Sequence, residues 1–523
     1  MCRLKLNVIK MEWEKLLNYR RRRESSVDPN RLKISGDTDS RNSFESDFGR
    51  VVFSSSCRRL HDKTQVFPLT SDDNIHSRLT HSMEVMNIGL SFAIYLCGND
   101  EFKAKTELSE IDILRKISPI LKTSCLVHDI GNPPFGHFGE VVIQEYFKDL
   151  FANLEGLCKG DKNSSEISRF IYNSLNDSQR AELNDFLQND CLKYDYTQFD
   201  GNAEGFRVLT KLQYLGDLFG LNLTYATLAA TLKYPNLGAK DKGGYIGVHK
   251  HGVFYTEKEA LDEIITECKL ISDNGSICRH PLAFLMEAAD SICYYIMDVE
   301  DAIQKQWIKY EDLEEGIQKL DNEDLYNRFF SKKDNIKYTK KKWVDLRTKL
   351  ITYLMELATK EFINNLDSII KGTYDNELIE NDAVTQLLKG LSRDKILSNR
   401  DIMSLEVTGE AVISGILNAY IKYFFHKEKS FRTRGKALIS KSIFMTVLHE
   451  YVEKHQEDDN LKDDYRKHVS IEGRCDTIEE LYDKFDVGDF SVEERFRVIR
   501  DFIACMTDKF ALNHLRKLNG QKI

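Results

Sequence analysis

Only 7 prolines interrupt 523 residues. Proline removes a backbone N–H and clashes with the preceding helical turn, so a chain this poor in it is free to run in long helices. The apolar spacing agrees. Leu79, Met83, Met86, Ile88, Leu90 and Ile94 recur at helical intervals along Arg78 to Leu96, which predicts an amphipathic helix. Ile111 to Asp129 reads likewise and ends at Gly131-Asn132-Pro133-Pro134, a run of breaker residues. A further helix is expected from about Gly136, through Val141, Val142 and Tyr146. Ala283 to Ile303 is a strongly apolar helix carrying Asp290, Asp298 and Asp301. The expected fold class is all-α.

Organisation follows from where the polarity changes. Residues 1–45 read as a polar N-terminal arm, 46–310 as a helical core with a polar insertion at about 158–198, and 311–523 as a second helical region that completes the pocket. Gly238 to Gly252, with His249 and His251, reads as a loop or short hairpin. Arg20-Arg21-Arg22-Arg23 reads as a solvated helix end or a small basic patch.

Composition narrows the function classes. Hydrophobic residues at 41% and charged residues at 30% belong to a globular chain, not a disordered one. A formal charge of −9 argues against a surface built for non-specific nucleic-acid binding, though a cleft can still be positive inside. The 11 cysteines include no CxxC pair, so a reduced, cytoplasmic setting is expected. No apolar run approaches the ~20 residues of a membrane span.

The chemistry sits on helical segments. His81, the adjacent pair His128-Asp129, and Asp290 each lie beside apolar helix residues, where an unpartnered polar group is costly to bury. A divalent cation is an efficient partner, since imidazole nitrogen and carboxylate oxygen suit manganese, iron, magnesium or zinc. His137 and Glu140, three apart in the next helix, share a face.

The flanking blocks are more specific. Asp47 to Leu60, Asp62 to Phe67, Arg78-Leu79-Thr80-His81-Ser82, His128 to His137 with Gly139-Glu140, Phe199 to Arg207, Ala288 to Ile292 with Val299 to Ala302, and Asp501 to Asp508 follow in order. In these the chain resembles the HD-domain phosphohydrolase superfamily and, within it, the deoxyguanosine triphosphate triphosphohydrolase (dGTPase) family. The resemblance covers roughly residues 45 to 515 in pieces.

It implies an HD-type helical core with metal ligands His81, His128, Asp129 and Asp290, holding manganese, magnesium or iron. It implies His137 and Glu140 as the catalytic pair. For the substrate it implies Arg58, Lys233, Tyr234 and Arg497 around the triphosphate, and Gln65 and Asn202 as amide donors or acceptors. Tyr294 is implied against the sugar, where it would exclude a 2′-hydroxyl, with Asp298 one turn on at the 3′-hydroxyl. The implied reaction releases deoxynucleoside and tripolyphosphate from a deoxynucleoside triphosphate, with dGTP favoured. The implied assembly is a tetramer or hexamer, with single-stranded DNA or a nucleotide as effector.

The chain departs from the family in Ser291, where a second Asp is common, in Glu204 for Gln, and in Cys505 for Gly. Two rival readings share its motifs. One is another HD enzyme, a nucleotidase or phosphodiesterase. The other is a non-catalytic nucleotide- or DNA-responsive regulator using the basic stretch Lys427 to Lys436.

Overall fold

Ser77 and Thr80 form a reciprocal capping box that starts the helix Arg78–Cys97, satisfying N–H groups that a helix end leaves open. Its buried face, with Val85, Ile88, Phe92 and Leu96, packs on the helices Ser118–Val127 and Pro281–Gln304. At Gly89 an added Cβ would lie 2.5 Å from the Cys125 sulfur. Only glycine lets these first two helices approach so closely. Pro281 opens the third helix with a preset φ, and the His280 ring accepts the Leu282 N–H at 3.1 Å. These three helices carry His81, Asp290 and, at the end of Ser118–Val127, His128.

The computed structural model describes residues 12–23, 41–69, 75–161, 163–213, 216–272, 275–330, 339–455 and 481–521. Helices make up about 72% of the described residues, and no strand occurs among them. The fold is all-α, of the HD type. After the breaker turn, Gly131 rests against the short helix Gly201–Arg207, where its Cβ would fall 1.9 Å from the Gly205 nitrogen. The helix Gly136–Cys158 then runs beneath Arg400–Phe424, which also packs on Val492–Ala504 and Asp508–Leu518. Residues from the C-terminal third therefore meet the turn that follows His128. No helix among the described residues is long and apolar enough to cross a membrane.

The structure bears on four readings of the sequence. The Arg20–Arg23 run is neither a solvated end nor a basic patch, because each arginine meets a carboxylate. Arg21, buried, lies 2.6 Å from Asp47, and Arg22 lies 3.0 Å from Glu263, while Arg20 and Arg23 pair with Glu267 and Asp217. Residues 12–23, placed by sequence in an N-terminal arm, are docked on the core, with the Tyr225 N–H donating to the Arg20 carbonyl at 2.9 Å. The rest of that arm, 1–11 and 24–40, lies outside the described residues.

The polar insertion folds into the helices Glu166–Ser174, Asp177–Gln188 and Asp190–Thr197. It buries Ile171, Leu183, Phe186 and Tyr196, so its polarity is that of an outer helix face. Gly238 to Gly252 contains a 3-10 turn, Ile246–Val248, and no hairpin.

Behind the breaker turn lies a buried charge cluster. Arg207, fully buried, reaches Asp501 at 2.8 Å, Glu450 at 3.0 Å and Glu257. Beside it stands Glu204, also fully buried, with Oε2 lacking a hydrogen-bond partner. Burial, reinforced by the charge of Asp501, pushes the Glu204 carboxyl up to about 8. The fold thus keeps Glu204 protonated near neutrality. Its destabilising effect sets in as pH rises past the ordinary carboxylate value and stops growing above about 8. Glu204→Gln keeps the shape without the proton. It is expected to raise the unfolding free energy at pH 8.5 by on the order of 2 kcal/mol and to change it little at pH 5. Urea titrations at both pH values measure this, and equal shifts at the two would refute it.

Candidate active site

The three packed helices bring the Nε2 atoms of His81 and His128 to one oxygen of Asp290, at 3.2 Å and 3.3 Å. Ligand atoms of these three residues all lie within 4.8 Å of one another. The His128 ring is oriented from behind, its Nδ1 donating to the Cys125 carbonyl at 2.7 Å. That bond leaves the lone pair on Nε2, which is buried and has no hydrogen-bond partner. A buried, unpartnered imidazole nitrogen beside a carboxylate is what a divalent cation fits, since ligating histidines are held through their other nitrogen.

Asp129 stands just outside the trio. Its Oδ2 pairs with Arg78 and lies 3.6 Å from His128 Nε2, and its Oδ1 accepts from Asn132 at 2.7 Å. Burial would raise this carboxyl, but the charges of Arg78 and His128 outweigh it and hold it below the usual carboxylate range.

A cavity of about 550 Å³ opens onto His128, Asp129 and Asp290. His137 also lines it, with Nδ1 3.0 Å from Oε2 of Glu140. Glu140 is anchored by the Gly201 N–H, which donates to its Oε1 at 2.7 Å. The charge of Glu140 raises the His137 pKa above the ordinary histidine value. Burial works against ionised Glu140, but His137, Lys250 and the Gly201 N–H prevail and hold it at about 2. The carboxylate thus favours the imidazolium form of His137.

The other expected site residues divide. Gln65, Asn202, Lys233, Tyr234 and Tyr294 line the cavity. The Gln65 Oε1 is buried without a partner, Lys233 ion-pairs with Asp290, and Asn202 donates to Asp200 at 2.7 Å. Arg58, Asp298 and Arg497 do not line it. Arg58 is exposed and bonds the Phe53 carbonyl at 2.9 Å. Arg497 is buried among Glu450 and Glu493, each at 3.0 Å. Asp298 is buried at 2% exposure, its carboxyl pushed up by burial and by the neighbouring Asp301. Of the basic stretch, Arg432 is held by Asp486 at 2.6 Å, and Lys436 donates to the Tyr482 and Phe485 carbonyls.

Arg78 and Lys250 also line the cavity and were not singled out from sequence. Arg78 stands in the same block as His81. Lys250 lies between the two histidines of the glycine-rich loop, its Nζ 4.0 Å from Asp200. A cation between two flagged histidines was the available signal.

Helical fold and histidine–aspartate cluster together define the class, an all-α protein of the HD type. A Listeria monocytogenes protein named deoxyguanosinetriphosphate triphosphohydrolase-like is 34% identical over 98% of this chain and 100% of its own length. A Synechocystis protein of the same name is 31% identical over 82% of this chain and 89% of its own. An Enterobacter protein named deoxyguanosinetriphosphate triphosphohydrolase is 29% identical over 91% of this chain and 93% of its own. The chain belongs to the deoxyguanosinetriphosphate triphosphohydrolase-like family. No family profile matches it.

Proposed function

We propose that this protein hydrolyses deoxynucleoside triphosphates, dGTP foremost, to deoxynucleoside and tripolyphosphate, with a divalent cation. One observation carries the reading. A single cavity is lined by His128 and Asp290, which cluster with His81, by His137, which pairs with Glu140, and by Lys233 and Lys250. The names of the relatives support the substrate class.

The cation would be held by His81, His128 and Asp290, with Asp129 beside them, and when bound it would polarise a phosphoryl oxygen and lower the pKa of a water. Lys233 and Lys250 offset the charge of the triphosphate. Tyr294 packs against the sugar on the side where a 2′-hydroxyl would project. His137, whose protonated form Glu140 favours, gives its proton to the departing 5′-oxygen of the deoxynucleoside. Glu140 holds the ring and stabilises its charge. The water adds its oxygen to the α-phosphorus, the bond to the 5′-oxygen breaks, and tripolyphosphate leaves.

Incubating the protein and manganese with each dNTP and with GTP, and resolving products by ion exchange, tests this directly. Tripolyphosphate is the expected product. Diphosphate or monophosphate would assign another HD activity, and no turnover of any nucleotide would favour the regulator. His137→Asn is expected to lower kcat by about 10²–10⁴-fold. Because Glu140 raises the histidine's pKa, the parent's kcat should fall only at pH above the ordinary histidine value, and the variant should lack that limb. A pH–rate profile unchanged in the variant would remove His137 from proton transfer.

A further inference from the structure

The block Asp501 to Asp508 resembles the family pattern, yet none of its side chains enters the cavity. Its last residue makes the connection. Asp508 is 2% exposed and opens the helix Asp508–Leu518, whose own cap is Thr507. The Asp508 carboxylate is turned away from its helix. One oxygen accepts the Phe135 N–H at 2.8 Å, and the other accepts the Thr64 N–H at 3.0 Å and the Thr64 hydroxyl.

Phe135 is where the backbone needs holding. Its φ is 64°, a left-handed conformation disfavoured for a residue with a Cβ, and Gly136 follows at φ 59°. Phe135 is also the N-cap residue of Gly136–Cys158, and a hydrocarbon side chain cannot accept the first N–H groups of a helix. The helix that presents His137 and Glu140 in its opening turns therefore starts from a strained residue with no cap of its own. Asp508 supplies an acceptor there, and a negative charge favourable to a helix N-terminus. The bond to Thr64 ties the neighbouring Gln65, a cavity residue, to the same carboxylate.

We propose that Asp508 is a positioning residue for the reaction, its carboxylate fixing the left-handed Phe135 turn that aims His137, paired with Glu140, into the cavity and tying the Gln65 wall to that turn. This rests on His137 and Glu140 being the catalytic pair.

The test compares D508A, D508N, L515A and H137A, each loaded with manganese and assayed below its melting midpoint, with metal stoichiometry measured alongside. Leu515 lies on the same helix and packs at Gly415 of Arg400–Phe424, so L515A reports loss of packing alone. D508A is expected to lower kcat about 100-fold with KM changed little, the signature of a misplaced catalytic group. D508N keeps an oxygen for the Phe135 N–H but not for the Thr64 N–H, and is expected to recover part of that kcat. L515A is expected to melt lower and keep its kcat. A parent-like kcat in D508A, a fall no larger than that of L515A, or a D508N as impaired as D508A would each overturn the proposal. If D508A does not fold, D508E serves, since it keeps the charge but displaces the carboxylate. A fall in its kcat of about tenfold is expected, and a parent-like value overturns the proposal. H137A separates the two readings. Its collapse with D508A unaffected refutes positioning alone, whereas full activity in H137A refutes the catalytic pair.

Discussion

His128→Ala is expected to abolish turnover of deoxynucleoside triphosphates, a fall of about 10³-fold or more, and to take the bound cation with it. His128 Nε2 is buried and unpartnered, and its ring is already locked by the Cys125 carbonyl. Alanine removes one of three donors whose ligand atoms converge within 4.8 Å. A cation is worth several kcal/mol of charge stabilisation in such reactions, and each 1.4 kcal/mol is a factor of ten in rate. The fold should survive, since Asp290 keeps its pairs with Lys233 and His81. Metal content by atomic emission, read against turnover, checks both halves. A variant that keeps full metal content would place the cation elsewhere, and one that keeps turnover would detach the cluster from the reaction.

Arg207→Met should do the opposite, damaging the fold rather than the chemistry. The Arg207 guanidinium is fully buried and is shared by Glu257, Glu450 and Asp501. Methionine fills much of the volume but leaves these carboxylates facing one another away from water. Breaking a buried pair by removing one partner costs about 3–5 kcal/mol, and the network here has more than one acidic member to strand. Arg207→Lys should recover only part of the loss, since an ammonium cannot reproduce the forked geometry. Urea unfolding measures both. A melting transition unmoved in Arg207→Met would mean the carboxylates find protons or water more easily than their burial implies.

Much of the candidate site was legible because its residues stand on single helices with regular spacing. The apolar periodicity around His81 and Asp290 predicted the helices that carry them, and three-residue spacing put His137 and Glu140 on one face. The substrate residues were less legible. Arg497 looked like a free cation beside a family block, but its guanidinium is occupied by glutamates, one of them on the same helix and another at position 450. Arg58 looked the same and faces solvent. Sequence shows a charge without showing its partner, and in a chain with 74 basic and 83 acidic residues the partner decides what a charge is for. The Arg20–Arg23 run misled for the same reason, since its acidic partners are remote in sequence.

By itself the sequence determined the helical class, the breaker turn between His128 and His137 and the family, and it put forward His81, His128, Asp129 and Asp290 as candidate ligands, because each depends on local spacing or on residues adjacent in the chain. The tertiary structure alone decided that His81, His128 and Asp290 share one point, that Lys250 and Arg78 belong to the same cavity, and that Asp508 holds Phe135 from 373 residues away. Those facts depend on which helix faces pack together. That choice is set by close approaches such as Gly89 on Cys125 and Gly131 on Gly205, which a linear pattern does not encode.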